Sequence, residues 1–125
     1  VHLMGYILTL LKRKELKISG RTDEIIMTAK SIMESRFSEK VSLEDIANQL
    51  HISYPWFRKY FRKNTGFSPY DYLINIRINH AKIMLKNSSR LVKEISQASG
   101  FESQQQFSRT FKKKTGLTPV QFRNT

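Results

Sequence analysis

Two stretches of this sequence concentrate side chains able to recognise another polymer. The first holds Tyr54, Trp56, Arg58, Lys59, Arg62 and Lys63. The second, fifty residues on, holds Gln104, Gln105, Gln106, Ser108, Arg109, Lys112 and Lys113. Arg and Lys donate to guanine O6 and N7, Gln pairs with adenine N6 and N7 through two bonds, and cations further along a helix neutralise phosphates. Three consecutive Gln have no packing use in a core. Other chemistries lack their parts. Without Cys there is no thiol catalysis, disulfide or Cys-ligated zinc. His2, His51 and His80 are far apart in sequence, which argues against a His metal site. There is no Gly-rich phosphate loop. Glu44 and Asp45 suit a helix dipole, and Glu94 and Glu102 suit solvated faces. No catalytic residue, metal or cofactor is expected.

The charge is as uneven as the motifs. The 125 residues carry a net +12. Residues 1–56 hold 8 basic and 7 acidic side chains, and residues 57–125 hold 14 and 3. Such an excess calls for a polyanionic partner. Apolar residues at 39% are enough for one packed domain. The chain starts at Val1, as a fragment or processed product would. The apolar stretch Val1–Leu11 is shorter than the roughly 20 residues that span a bilayer, and it lacks the lead-in and cleavage site of a secretory signal. No membrane role is expected, and the location is expected to be cytoplasmic.

Helical periodicity dominates, which predicts an all-α fold. Val1–Leu11 reads as a partner-facing helix and Lys12–Arg21 as a charged link. Thr22–Phe37 carries one apolar face. Ser42 caps a short helix that ends at His51. Ser53 caps a second helix, tolerating Pro55 in its first turn and stopping at Gly66. Ser68-Pro69 starts the longest helix, to about Lys86, with Tyr72, Leu73, Ile76, Ala81, Met84 and Leu85 as its core positions. Leu91–Ser99 ends at Gly100, Ser103–Thr115 closes at Gly116, and Thr118-Pro119 starts a last turn or two.

The chain also repeats itself. Phe57-Arg-Lys-Tyr-Phe61-Arg-Lys63-Asn-Thr65-Gly66-Phe-Ser-Pro69 returns as Phe107-Ser-Arg-Thr-Phe111-Lys-Lys113-Lys-Thr115-Gly116-Leu-Thr-Pro119, identical at six of thirteen positions. Upstream, Leu43–Ile52 matches Val92–Phe101 at an offset of forty-nine, so the second copy holds one extra residue in its turn or helix start. Each copy is a short helix, a tight turn and a more basic helix, the helix-turn-helix pattern. In each, Phe57/Phe61 or Phe107/Phe111 forms a buried stripe, and the other face is free to enter a major groove. Trp56 fits either a core edge or a DNA contact. Arg77, among apolar neighbours, fits a structural role bonding carbonyls between the halves. A basic helical module for RNA, acidic protein or anionic lipid would share the charge asymmetry but would need no duplicated motif.

These residues resemble the DNA-binding domain of the AraC/XylS family of bacterial transcription regulators. The matching stretches are Ser42-Leu-Glu-Asp-Ile-Ala47, Phe61-Arg-Lys-Asn-Thr-Gly66, Tyr72-Leu73 with Arg77-Ile78 and Ala81, Val92-Lys-Glu-Ile95, Gly100-Phe101-Glu102, Gln106 through Pro119, and Phe122-Arg123. They run from about Thr22 to the C-terminus. The resemblance implies a bilobed domain of about seven helices over 21–125: a first helix-turn-helix at about 42–66, a linking helix at about 69–87, and a second helix-turn-helix at about 91–116. Residues 1–20 would be the end of an upstream domain or a linker, through which the intact protein could dimerise. It implies double-stranded DNA as partner, recognition helices in successive major grooves, and RNA polymerase as a further partner of an activator. Carried over by position, base contacts come from Ser53, Tyr54, Pro55, Arg58 and Lys59, and from Gln104, Gln105, Gln106, Ser108 and Arg109. Pro55 departs from the pattern, since it cannot donate. Arg62, Lys63, Lys112, Lys113 and Lys114 are the expected phosphate contacts, helped by the helix N-termini.

Overall fold

The computed structural model describes residues 20–125, which are helical with no strand among them. Helix α1 covers residues 20–36. Then come α2 (Leu43–Gln49), α3 (Tyr54–Thr65), α4 (Pro69–Asn87), α5 (Val92–Ala98), α6 (Gln104–Thr115) and α7 (Pro119–Arg123). The expected Val1–Leu11 helix lies outside the described residues. Gly20 and Arg21, expected in the charged link, belong to α1.

Local chemistry sets the boundaries, and the repeat turns out to consist of these boundary residues. The hydroxyls of Ser42, Ser53, Ser68, Ser103 and Thr118 each accept an N–H from the first turn of the helix they precede, worth about 1 kcal/mol apiece. Thr65 Oγ1 donates to Phe61 O at 2.8 Å and accepts the Phe67 N–H at 3.1 Å. Thr115 does the same with Phe111 and Leu117, at 2.8 and 3.2 Å. Gly66 and Gly116 then end α3 and α6 at φ 83° and 81°, where a side chain is disfavoured. Both helix-turn-helix turns share a bond five residues long: Ile52 N–H to Ala47 O at 3.0 Å, and Phe101 N–H to Ser96 O at 3.1 Å. The extra residue of the second copy is Glu102, which separates Phe101 from the cap Ser103, whereas Ile52 directly precedes its cap Ser53.

There are two cores. The first joins Ile26, Ala29 and Met33 of α1, Leu43, Ile46 and Ala47 of α2, Phe57 and Phe61 of α3, and Leu73 and Ile76 of α4. The second joins Ile74, Ile78, Ala81 and Leu85 of α4 with Ile95, Phe101, Phe107 and Phe111. Helix α4 therefore buries two stripes, one for each lobe. Periodicity reads a helix as having one buried face, so Ile74 and Ile78 were missed, while Tyr72 and Met84 prove half-buried. The repeat also runs further than the matching letters. Phe61 meets Tyr72 edge-on at 5.2 Å, and Phe111 meets Phe122 at 5.3 Å, again fifty positions apart.

The lobes meet at a joint around Arg77. As expected, Arg77 bonds carbonyls: its Nε donates to Phe37 O at 2.8 Å and its terminal nitrogen to Glu39 O at 3.1 Å. Partial burial pushes the guanidinium below its ordinary pKa, against the opposing pull of Tyr70 and Glu102, yet an arginine there stays charged. His80 stacks on Phe37 at 3.9 Å. Gly100, in the second unit's turn at φ 90°, closes onto the same place. A Cβ there would sit 2.3 Å from Phe37 O and 2.9 Å from Arg77 Nε. Its counterpart His51 adopts φ 56° with its side chain exposed.

Gly100→Ala should therefore cost about 3 kcal/mol, backbone strain plus overpacking. Gly116→Ala, with the same positive φ but nothing within 4 Å of the new Cβ, should cost about 1 kcal/mol. Urea unfolding of both variants tests this. Equal losses would mean that Gly100 is needed only for its backbone angle.

Candidate nucleic-acid interface

α3 and α6 carry the expected residues. Arg58, Lys59, Arg62 and Lys63 are exposed on α3, as are Gln104, Gln105, Arg109, Lys112, Lys113 and Lys114 on α6. Neither helix has an acidic residue in its first turn, and both are basic in the last. The positive end of each macrodipole is thus left open to an anion. Pro55 is exposed in the first turn of α3, where a missing N–H costs nothing. Ser53 accepts the Trp56 N–H at 3.2 Å, so its oxygen serves first as a cap. Ser108 is half-buried.

The two helices open onto a common cleft of about 500 Å³, lined among others by Tyr54, Tyr70, Arg77, Glu102 and Gln106. Tyr54 packs partly on the first core, and the Arg58 guanidinium lies 5.9 Å from its ring centre. The cleft brings together residues that are not equivalent. Tyr54 corresponds to Gln104 across the repeat, and Gln106 corresponds to Trp56. The position that each second helix brings to the cleft is therefore different in the two units, as in successive steps along one direction. A two-fold pair would present the same flank.

Within the Gln run the structure separates roles. Gln106 is half-buried, and its Oε1 accepts the Glu102 N–H at 3.1 Å. It closes the turn that the extra residue lengthens, leaving its amide N–H₂ to donate. Gln104 and Gln105 are exposed. Gln106, Arg109, Thr110 and Lys113 line a shallow groove along α6. Lys114 turns elsewhere: with Glu34, Phe67, Tyr72 and Lys82 it lines a groove on the opposite side of α4. Sequence reasoning missed the clamping role of Gln106, although its spacing from Ser103 is that of a capping box. Among the described residues no cluster of His, Asp or Glu could hold a metal, and no helix is long and apolar enough to cross a membrane.

Residues 46–125 match a family model described as a helix-turn-helix domain. The chain is 35% identical over 102 residues to the HTH-type transcriptional activator RhaR of Salmonella dublin. That alignment takes in 82% of this chain but 35% of the relative, so the chain spans about a third of its length. Among solved structures it is similar to the C-terminal domain of AraT, a response regulator from Geobacillus stearothermophilus, with a TM-score of 0.78 and 29% identity over 80% of this chain and 84% of that one. It is also similar to the DNA-binding domain of the global transcriptional factor AdpA in complex with a target DNA. There the TM-score is 0.70 and the identity 26%, over 82% and 89% of the two chains.

Gln106→Ala removes the acceptor for the Glu102 N–H and should cost about 1 kcal/mol in urea, and Gln106→Glu should recover most of it. If Gln106→Ala and Gln106→Glu unfold alike, the side chain is not the clamp of this turn.

Proposed function

The chain belongs to the AraC-type helix-turn-helix family, and on that premise we propose that α3 and α6 enter successive major grooves on one face of a duplex operator in the bacterial cytoplasm. The observation that carries this is the shared cleft with its non-equivalent flanks. Two units stepped in one direction follow the groove of a single duplex, and the site they read is asymmetric. A helix with its side chains is about 10–12 Å across and fits a major groove about 12 Å wide.

The first unit reads guanine-bearing steps through Arg58 and Lys59, with Tyr54 holding the Arg58 guanidinium and Ser53 and Pro55 lining the entry. The second reads adenine-bearing steps through Gln104 and Gln105, with Arg109 beside them and Ser108 and the free amide of Gln106 at the edge. Arg62, Lys63, Lys112 and Lys113 neutralise phosphates. The complex of AdpA with DNA supports the partner, and the activator name of RhaR supports activation, through contact with RNA polymerase.

Selection of bound sequences from a random duplex library tests the reading directly. The expected product is an asymmetric motif with its two halves about 10 base pairs apart. A palindrome, or no enrichment, would reject it.

On the selected duplex Gln105→Ala and Arg109→Ala should each cost about 1–3 kcal/mol, and little on random DNA. Equal loss on both would reject base reading there. Lys113→Ala should weaken all duplexes alike and flatten the slope of log K against log salt by about one. An unchanged slope would remove the phosphate contact.

A further inference from the structure

Two rings on the same helix have no part in either assignment above. Trp56 and Tyr60 lie against each other with centroids 4.7 Å apart. Both are half-buried, and neither is among the side chains packed on the first core. The Lys59 and Lys63 ammonium groups lie 5.4 and 6.0 Å from the centre of the Tyr60 ring. Helix α3 contains no acidic residue. The flank is therefore aromatic and cationic, and among the described residues it belongs to neither core.

Its direction follows from the repeat. Gln106, the counterpart of Trp56, faces the first unit across the cleft. Trp56 does not line that cleft, and by the repeat its flank is the one turned from the second unit. A helix seated in a major groove has a phosphate strand on each side. The indole N–H can only donate, and the phenol O–H can donate. A ring that carries ammonium groups on its face holds cations in place before any anion arrives.

We propose that Trp56, Tyr60 and Lys63 form a phosphate-binding wall that grips the duplex strand beyond the first half-site, with Trp56 Nε1–H and the Tyr60 hydroxyl donating to phosphodiester oxygens. This rests on the duplex reading above and adds a contact that the carried-over positions omit. DNA is favoured over an acidic protein because the wall is continuous, on one helix, with the cations that face the groove.

Trp56 is the sole tryptophan, so emission excited at the red edge, where tyrosine does not absorb, reports this position alone. The chain is titrated with a duplex of about 25 base pairs, roughly two and a half turns, that carries the selected site. Anisotropy of the labelled duplex is followed in parallel. The emission of Trp56 should change with the same midpoint as the anisotropy, and the change should vanish on a duplex shortened at the first unit's end. Trp56→Phe and Tyr60→Phe, which keep the rings, should each weaken binding about threefold on selected and random duplexes alike. Binding seen by anisotropy with emission unchanged would overturn the wall while leaving the duplex reading intact. So would full duplex affinity in both variants together with lost activation in a reporter strain, which would assign the flank to an acidic protein. No duplex binding by either signal would overturn both.

Discussion

Two helix-turn-helix units on one chain hold a fixed orientation only if something locks them together, and here Arg77 and Gly100 meet the segment after α1 at a joint between the lobes. Two carbonyls that follow α1 point at α4: Glu39 O, which also accepts the Val41 N–H at 2.9 Å, and Phe37 O. Arg77 supplies two bonds to them, and an arginine suits the place because its charge survives partial burial while its forked donors reach two carbonyls at once. The absence of a side chain at Gly100 then lets the second unit's turn close on the same carbonyl. At its far end α4 has a parallel device. Arg123 donates to Leu85 O at 3.1 Å and to Arg90 O at 2.6 Å, which fastens α7 to the end of the shared helix. One helix bearing two buried stripes, with an arginine joint at its middle and another at its C-terminal end, behaves as a rigid spacer.

On this spacer the duplicated units have kept their mechanics and changed their tips. Phe57 and Phe61, Phe107 and Phe111, the Thr-Gly ends and the Ser or Thr caps do identical work in both copies. The outward positions differ in chemical kind. The first unit offers cations braced by aromatic rings, and the second offers amides beside cations. Cations supply affinity that depends on salt and little on sequence, whereas amides supply little affinity without the right base edge.

The extra residue in the second turn shows how little is needed to change a role. Ile52 runs straight into the cap of α3, while Phe101 is followed by Glu102 before the cap of α6. The additional peptide brings an additional N–H, and Gln106 bonds it. A side chain that would otherwise be as free as Gln105 is drawn back toward the turn. The position that is Gln106 in one unit is Trp56 in the other, which has no such N–H to satisfy and leans on Tyr60 instead.

Much of this was legible in the letters, because much of it is local. Caps, left-handed glycines and the Phe pairs act within a few residues, so the sequence alone fixed seven helices' worth of boundaries to within a residue or two and exposed the duplication. The basic excess after Phe57 declared the partner's charge for the same reason. What the sequence could not decide depends on which surfaces meet. Ile74 and Ile78 are buried only because α4 serves a second lobe. Gly100 is indispensable only because Phe37 lies opposite. Tyr54 and Gln106, which are not counterparts in the repeat, share a cleft only because of how the two units pack. These are contacts between residues some 40 to 60 positions apart. No spacing rule carries them, since spacing describes one helix at a time and the joint is made between helices.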